Sequence, residues 1–324
     1  MKKHRLFKIS ACLAVVVVAT GCSARSPAQP PSTTVEAAVV SSSTTAATLP
    51  EVTAYEPLPG EVEQSAKREA SRLVTVVTGY RAGDGTFDGL RRRLVNNGFS
   101  AAFAGSAEPL ADPSASSAGQ VLYAQFGGLT KREASVMVIV RQTLLRGPRV
   151  DVLTRTIDVR LSRKGTVWTS TGFSVPTRPV RRVPLSSNPP VVALLTSERV
   201  ELPDTARWDL AGGIVDGRVV GVLLELSEQF QISVSVFATG HPIEVFGTSR
   251  QSNHTAGRGV DIWKVDGVPV IAQRTPDSAA NRLVKAVLTL GPTEVGSPWD
   301  LDGPRAPSFT NALHQDHIHI AFDR

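Results

Sequence analysis

Apolar positions along this chain change their period several times, and each change marks an element. Val62, Ala66, Ala70, Leu73, Val74 and Val77 recur at three- and four-residue intervals, the spacing of one helical face. Phe87, Leu90 and Leu94 repeat the pattern over a shorter helix that Asn97-Gly98 stops. The period then drops to two. Val136, Val138 and Val140, and later Ile157, Val159 and Leu161 against Asp158 and Arg160, predict strands with one wet face. Arg163-Lys164-Gly165 before Val167 to Phe173 predicts a hairpin.

The pattern restarts further on. Val219, Leu223, Leu226 and Phe230 form a helical face, and Ile232, Val234 and Val236 alternate with Ser233 and Ser235 in a following strand. Another helix is expected from Thr275-Pro276-Asp277, with Thr275 as cap and Pro276 at the first position. It ends before Gly291-Pro292 and offers Leu283, Val287 and Leu290 as its apolar face. Short strands around Val260 and Ile320 complete the reading.

The chain is therefore expected to be α+β, with helices and antiparallel sheet in each of two domains, 52–177 and 191–324. Between them, 178–190 reads as a linker: Pro179, Pro184, Pro189 and Pro190 interleave with Arg178, Arg181 and Arg182. Helices followed by an antiparallel meander in 52–177 resemble the cone-shaped folds of the nuclear-transport-factor-2 type, which occur in exported actinobacterial proteins. That domain has no histidine, no cysteine and no clustered carboxylates. It is expected to bind an envelope protein partner or act as a spacer, and not to catalyse.

Composition changes the picture mainly at the start. At 324 residues, 41% hydrophobic and 20% charged, the chain is globular and long enough for two domains. Lys2, Lys3, Arg5 and Lys8 precede an apolar run from Ile9 to Ala19, the order of an export signal over 1–21. As a helix, that run would cover about half of a bilayer's hydrocarbon core, too little for a stable span. Ala19-Thr20-Gly21-Cys22 resembles a bacterial lipobox, which implies a lipid on Cys22 and a location on the outer face of the cytoplasmic membrane. Residues 22–51, rich in Ser, Thr, Ala and Pro, then form a tether. Removing the four signal cations lowers the formal charge from +6 to +2, so the basic balance gives no ground for a nucleic-acid partner. Cys12 would be removed and Cys22 acylated, which leaves no disulfide.

Apart from His4, every histidine lies in the second domain: His241, His254, His314, His317 and His319. Such crowding suits a metal site, which needs neutral imidazoles converging from several elements. In the strand Asp316-His317-Ile318-His319-Ile320, alternation puts His317 and His319 on one face while Ile318 and Ile320 anchor the other.

Ser252-Asn253-His254-Thr255-Ala256-Gly257-Arg258-Gly259-Val260-Asp261 resembles the Ser-x-His-x-x-Gly-x-Ala-x-Asp signature of the zinc D-Ala-D-Ala peptidases, a group that includes lysostaphin-type enzymes and the Hedgehog domain. Gly259 stands in place of the alanine, and Asp316-His317-Ile318-His319 supplies the second half of the pattern. The resemblance implies Zn2+ held by His254, Asp261 and His319, Asp316 as the base for the zinc water, and His317 as the residue stabilising the tetrahedral intermediate. The spacing of His314, His317 and His319 also resembles the penicillin-insensitive murein endopeptidases, in which a third histidine enters the site. Thr239-Gly240-His241-Pro242 falls where this family has a Ser-Gly-Tyr-Arg stretch whose arginine binds the substrate carboxylate. Substrate contacts are accordingly expected from His241, Ser252, Arg250 and Arg258. The function implied is a zinc peptidase cleaving peptidoglycan stem or cross-link peptides. The alternatives are a zinc-containing module that binds a wall peptide or protein without cleaving it, and a structural lipoprotein.

Overall fold

A computed structural model describes residues 47–177 and 187–323. The signal, Cys22, most of the tether and 178–186 of the expected linker lie outside them. The protein is α+β, built on two sheets. In the first half, α1 (Gln64–Thr78) and α2 (Phe87–Asn96) fall where the helical spacing puts them, followed by a short α3 (Ala104–Ala107). Four strands form an antiparallel meander in the order β1-β2-β3-β4: β1 (Ser116–Leu129), β2 (Glu133–Arg146), β3 (Arg149–Lys164) and β4 (Val167–Ser174). Leu73, Val74 and Val77 of α1 pack with Leu90 and Leu94 of α2 against Val136, Val138, Ile157 and Val159, closing one core.

The second half begins earlier than the linker reading expects. Pro189 and Pro190 open helix α4 (Pro189–Thr196), with the Asn188 side chain accepting from Val191 N–H. Proline breaks a helix interior but suits its first turn, where no amide donor is needed. Next come β5 (Val200–Glu201), α5 (Asp204–Ala211), α6 (Gly217–Ser227), β6 (Ile232–Val236), β7 (Gly259–Val265) and β8 (Val268–Pro269). After these, α7 (Ala279–Leu288), β9 (Glu294–Gly296), β10 (Ser308–Phe309) and β11 (Ile318–Ala321) complete the chain. Helix α7 starts three residues later than expected: Ser278, not Thr275, is the cap, because Asp277 adopts a positive φ of 61°. The sheet order is β10-β9-β11-β7-β6-β5, with β8 against β7. Its central pair, β11 and β7, is antiparallel and sets His319 opposite Asp261.

The two halves belong to one compact unit, Ala46–Arg324. Thr156 on β3 donates its hydroxyl to Ser235 O at 2.6 Å, and Thr154 N–H donates to Asp204 Oδ2 at 2.7 Å. Strand alternation then aligns two pairs across the interface. Tyr123 and Gln125 share one face of β1, and Asp261 and Trp263 share one face of β7. Tyr123 stacks on Trp263 at 4.8 Å with the rings 17° apart, a contact of the kind that contributes about 0.5–1.5 kcal/mol beyond area burial. Gln125 Nε2 donates to Asp261 Oδ2 at 2.6 Å. No helix among the described residues is long and apolar enough to cross a membrane.

Candidate metal centre

The loop after β6 carries His254 into the sheet's open end through a chain of turns. Ser252 Oγ accepts from His254 N–H at 3.2 Å, and Gly257 N–H donates to His254 O at 2.8 Å. Gly257 holds φ at 75°, and a Cβ there would lie 2.0 Å from Ile214 O, so only glycine fits. At Gly259 a Cβ would stand 3.1 Å from the His254 ring. An alanine here, as in the signature, would need the ring to give by a few tenths of an ångström.

Three ligand-type atoms converge from three segments. His254 Nε2 lies 3.0 Å from His319 Nδ1 and 3.1 Å from Asp261 Oδ1, and His319 Nδ1 lies 2.9 Å from Asp261 Oδ1. Each has a partner behind it. His254 Nδ1–H donates to Phe237 O at 2.6 Å, which leaves the Nε2 lone pair facing inward. His319 Nε2 faces Glu294 Oε2 at 3.7 Å, and Asp261 Oδ2 accepts from Gln125. His254 and Asp261 thus have their second atoms hydrogen-bonded, the arrangement that aims the first atom of a metal ligand, while His319 Nε2 has only the longer ionic contact with Glu294. Two imidazole nitrogens and a carboxylate oxygen about 3 Å apart would suit a cation about 2.0–2.1 Å from each once it displaces the Nδ1 proton of His319. Asp261, although buried, is held well below the usual carboxylate range by His254 and His317. His319 is pushed up to about 9: burial opposes its charge, but Asp261 and Glu294 outweigh burial.

His241 joins this group. With His254 and Asp261 it offers ligand atoms that all lie within 4.8 Å of one another, close enough to hold a metal ion. Its Nδ1–H donates to Pro242 O at 2.8 Å, and its ring stacks on His254 at 4.0 Å and 12°. Burial, with His254 beside it, holds its imidazole well below the ordinary histidine value, so it is neutral near pH 7.

The site floors a cleft of about 400 Å³ lined by both halves, including Phe126 and Leu129 from β1 and Phe246 and Phe309 from the second half. His314 and His317 both line it, their rings 5.0 Å apart. His314 Nδ1–H donates to Asn311 Oδ1 at 2.8 Å, and burial, with His317 and His319 nearby, holds it well below the ordinary histidine value. His317 Nδ1–H donates to Asp316 Oδ1 at 2.6 Å, while its Nε2 faces Asp261 Oδ2 at 3.8 Å. Among the expected substrate residues, Arg250, Ser252 and His241 line the cleft.

Two expected residues do not. Arg258 turns away from the cleft, and its guanidinium binds Asn253 Oδ1 at 3.1 Å and braces the turn beneath His254. Asp316, the expected base, is buried behind His317. One of its oxygens holds His317 and the other meets Lys67 Nζ at 2.5 Å, and Lys67 in turn meets Glu61 Oε2 at 2.5 Å. Burial raises the Asp316 carboxyl, but Lys67 and His317 outweigh it and hold the group below its ordinary value. Asp316 therefore has both oxygens occupied, and it is His317 that lines the cleft.

Glu61, Lys67, Gln125, Glu294 and Asn311 are absent from the sequence reading. Only Lys67 carried a signal, a cation on the apolar stripe of α1, where an unpaired charge is too costly to keep. No known protein family, curated protein or solved structure matches this chain.

Proposed function

We propose that the protein is a zinc-dependent peptidase acting on peptidoglycan stem or cross-link peptides, held by a lipid on Cys22 at the outer face of the cytoplasmic membrane. The observation that carries this reading is the convergence of His254 Nε2, Asp261 Oδ1 and His319 Nδ1 within 3.1 Å of one another on the floor of an open cleft. The likeness of Ser252–Asp261 and Asp316–His319 to the zinc D-Ala-D-Ala peptidases supports it. Three protein ligands leave the further coordination position that a catalytic zinc requires. Bound there, zinc would supply Lewis-acid polarisation of a peptide carbonyl and would acidify water.

The chain's own residues divide the remaining work. His317, its Nδ1 proton held on Asp316, presents Nε2 to the cleft and is set to accept or return a proton there. His314, neutral and oriented by Asn311, stands 5.0 Å from it as a second imidazole on the same wall. Arg250, which also lines the cleft, offers a guanidinium to a substrate carboxylate. Phe126, Leu129, Phe246 and Phe309 limit the access of water.

One feature favours the second reading, a metal-stabilised module that binds without cleaving. If His241 became a fourth ligand, coordination would close. Stacked face to face on His254 at 4.0 Å and 12°, however, His241 would have to tilt to share an ion with it.

Zinc analysis of the full-length protein should return about one equivalent, lost in His254→Ala and Asp261→Ala, and muropeptides should be cleaved with zinc and not with chelator. A zinc-loaded protein that binds muropeptides but releases no product would replace the enzyme by the binding module. Full zinc content in both variants would overturn the ligand assignment.

A further inference from the structure

We infer that the first half of the chain is a working part of the metal centre, through Gln125 on β1 as the positioning residue for the ligand Asp261. The inference rests on the metal-site reading above and adds to it a residue from outside the part of the chain that resembles a peptidase.

The geometry is specific. Gln125 is fully buried, and its Nε2 donates to Asp261 Oδ2 at 2.6 Å, while Asp261 Oδ1 alone faces His254 Nε2 and His319 Nδ1. The amide therefore fixes the rotation of the carboxylate, keeps one oxygen on the metal side and satisfies the other. Within the second half, His319 Nε2 has a longer ionic contact with Glu294 at 3.7 Å, and His254 receives the same service from Phe237 O. Asp261 receives it from across the interface.

Gln125 is also poorly served by its surroundings. Its Oε1 has no hydrogen-bond partner among the described residues. A buried amide with half its polar atoms unpaired is costly where an apolar side chain of similar size would pack. Its one hydrogen bond to Asp261 accounts for an amide at this position. The neighbouring Tyr123–Trp263 stack holds β1 and β7 at the spacing that this bond needs.

The test measures zinc affinity of the full-length protein by competition with a chromophoric chelator, together with the visible absorption of the cobalt-substituted form. Gln125→Leu removes the donor at nearly constant size and is expected to weaken zinc binding about 10–100-fold, the usual cost of losing an outer partner of a ligand, and to alter the cobalt spectrum. Gln125→Asn, one methylene shorter, should weaken it too, and it carries the test if the leucine variant does not fold. Thr156→Val serves as control: it deletes the hydroxyl bond to Ser235 O across the same interface but no hydrogen bond of a ligand side chain, and should lower thermal stability while leaving zinc affinity unchanged. Zinc affinity in a folded Gln125 variant within twofold of the parent overturns the inference and leaves the metal site standing. Equal loss in Thr156→Val overturns it as well, because the effect would then come from a loosened interface. A parent protein that binds no zinc overturns the metal site and the inference together.

Discussion

Replacing Lys67 by methionine is expected to destabilise the protein strongly at neutral pH and much less in acid. The ammonium has no solvent exposure and lies 2.5 Å from both Glu61 Oε2 and Asp316 Oδ2. Methionine fills similar space but leaves two carboxylates facing each other in the interior. Breaking a buried ion pair by removing one partner costs about 3–5 kcal/mol. At about 2–4 °C per kcal/mol for a unit of this general size, the melting temperature should fall by roughly 10 °C.

The pH dependence follows from the direction of the carboxyl shifts. Burial already raises Glu61 even with Lys67 beside it, and without the ammonium Asp316 rises as well. A carboxyl raised in the folded state binds its proton more tightly there than in the unfolded chain. Its stabilising contribution is then complete below the unfolded value, about pH 4, and is lost as pH climbs through the raised folded value. The variant's deficit should therefore shrink between about pH 7 and pH 4. Calorimetric melting of parent and variant across that range measures it. The triple variant Lys67→Met, Glu61→Gln, Asp316→Asn should recover much of the loss, because no buried charge remains unpaired. A Lys67→Met protein that melts with the parent at pH 7, or a deficit that does not change with pH, would refute the charge-burial argument.

His317→Ala should keep its zinc and cleave muropeptides about a hundredfold more slowly or worse, as when an enzyme loses one group that acts in the transition state; an unchanged rate would remove His317 from the chemistry. Cys22→Ala should incorporate no labelled palmitate and leave the membrane fraction, and a variant that fractionates and labels as the parent does would refute the lipobox reading.

How much of this was legible beforehand depended on whether the signal was local. The helices α1, α2 and α6 and the strands β2, β3 and β6 followed from periodicity, because apolar residues recur along one face even where, as in β2 and β6, the other face is covered too. Strand β1 lacks that recurrence. Both its faces are largely covered, one by α1 and one by β7, so its apolar and polar residues do not alternate, and Gly119, Gly127 and Gly128 read as loop. Prolines misled at α4, where Pro189-Pro190 reads as a break until its position in the first turn is known. That His254, Asp261 and His319 come together was legible because they sit in two short motifs. Gln125 and Lys67 belong to no motif, and their partners lie 136 and 249 residues away along the chain. Asp316 was found beside the site, but the sequence gives no sign that Lys67 and His317 occupy both its oxygens.

The contact of β1 with β7 also bears on how such a protein can be assembled from parts. A peptidase-like module is often pictured as a transferable cassette, attached to whatever targeting domain a lineage has to hand. Here the seam between the two segments runs through the hydrogen bonds that hold Asp261 and Asp316. Joining residues 191–324 to a different leading domain would leave Asp261 without its amide, Asp316 without its ammonium and Trp263 without its stacking ring. The two segments can be exchanged only as a pair, and in descent they should change together at Lys67 and Asp316, and at Gln125 and Asp261, as though they were a single hereditary unit.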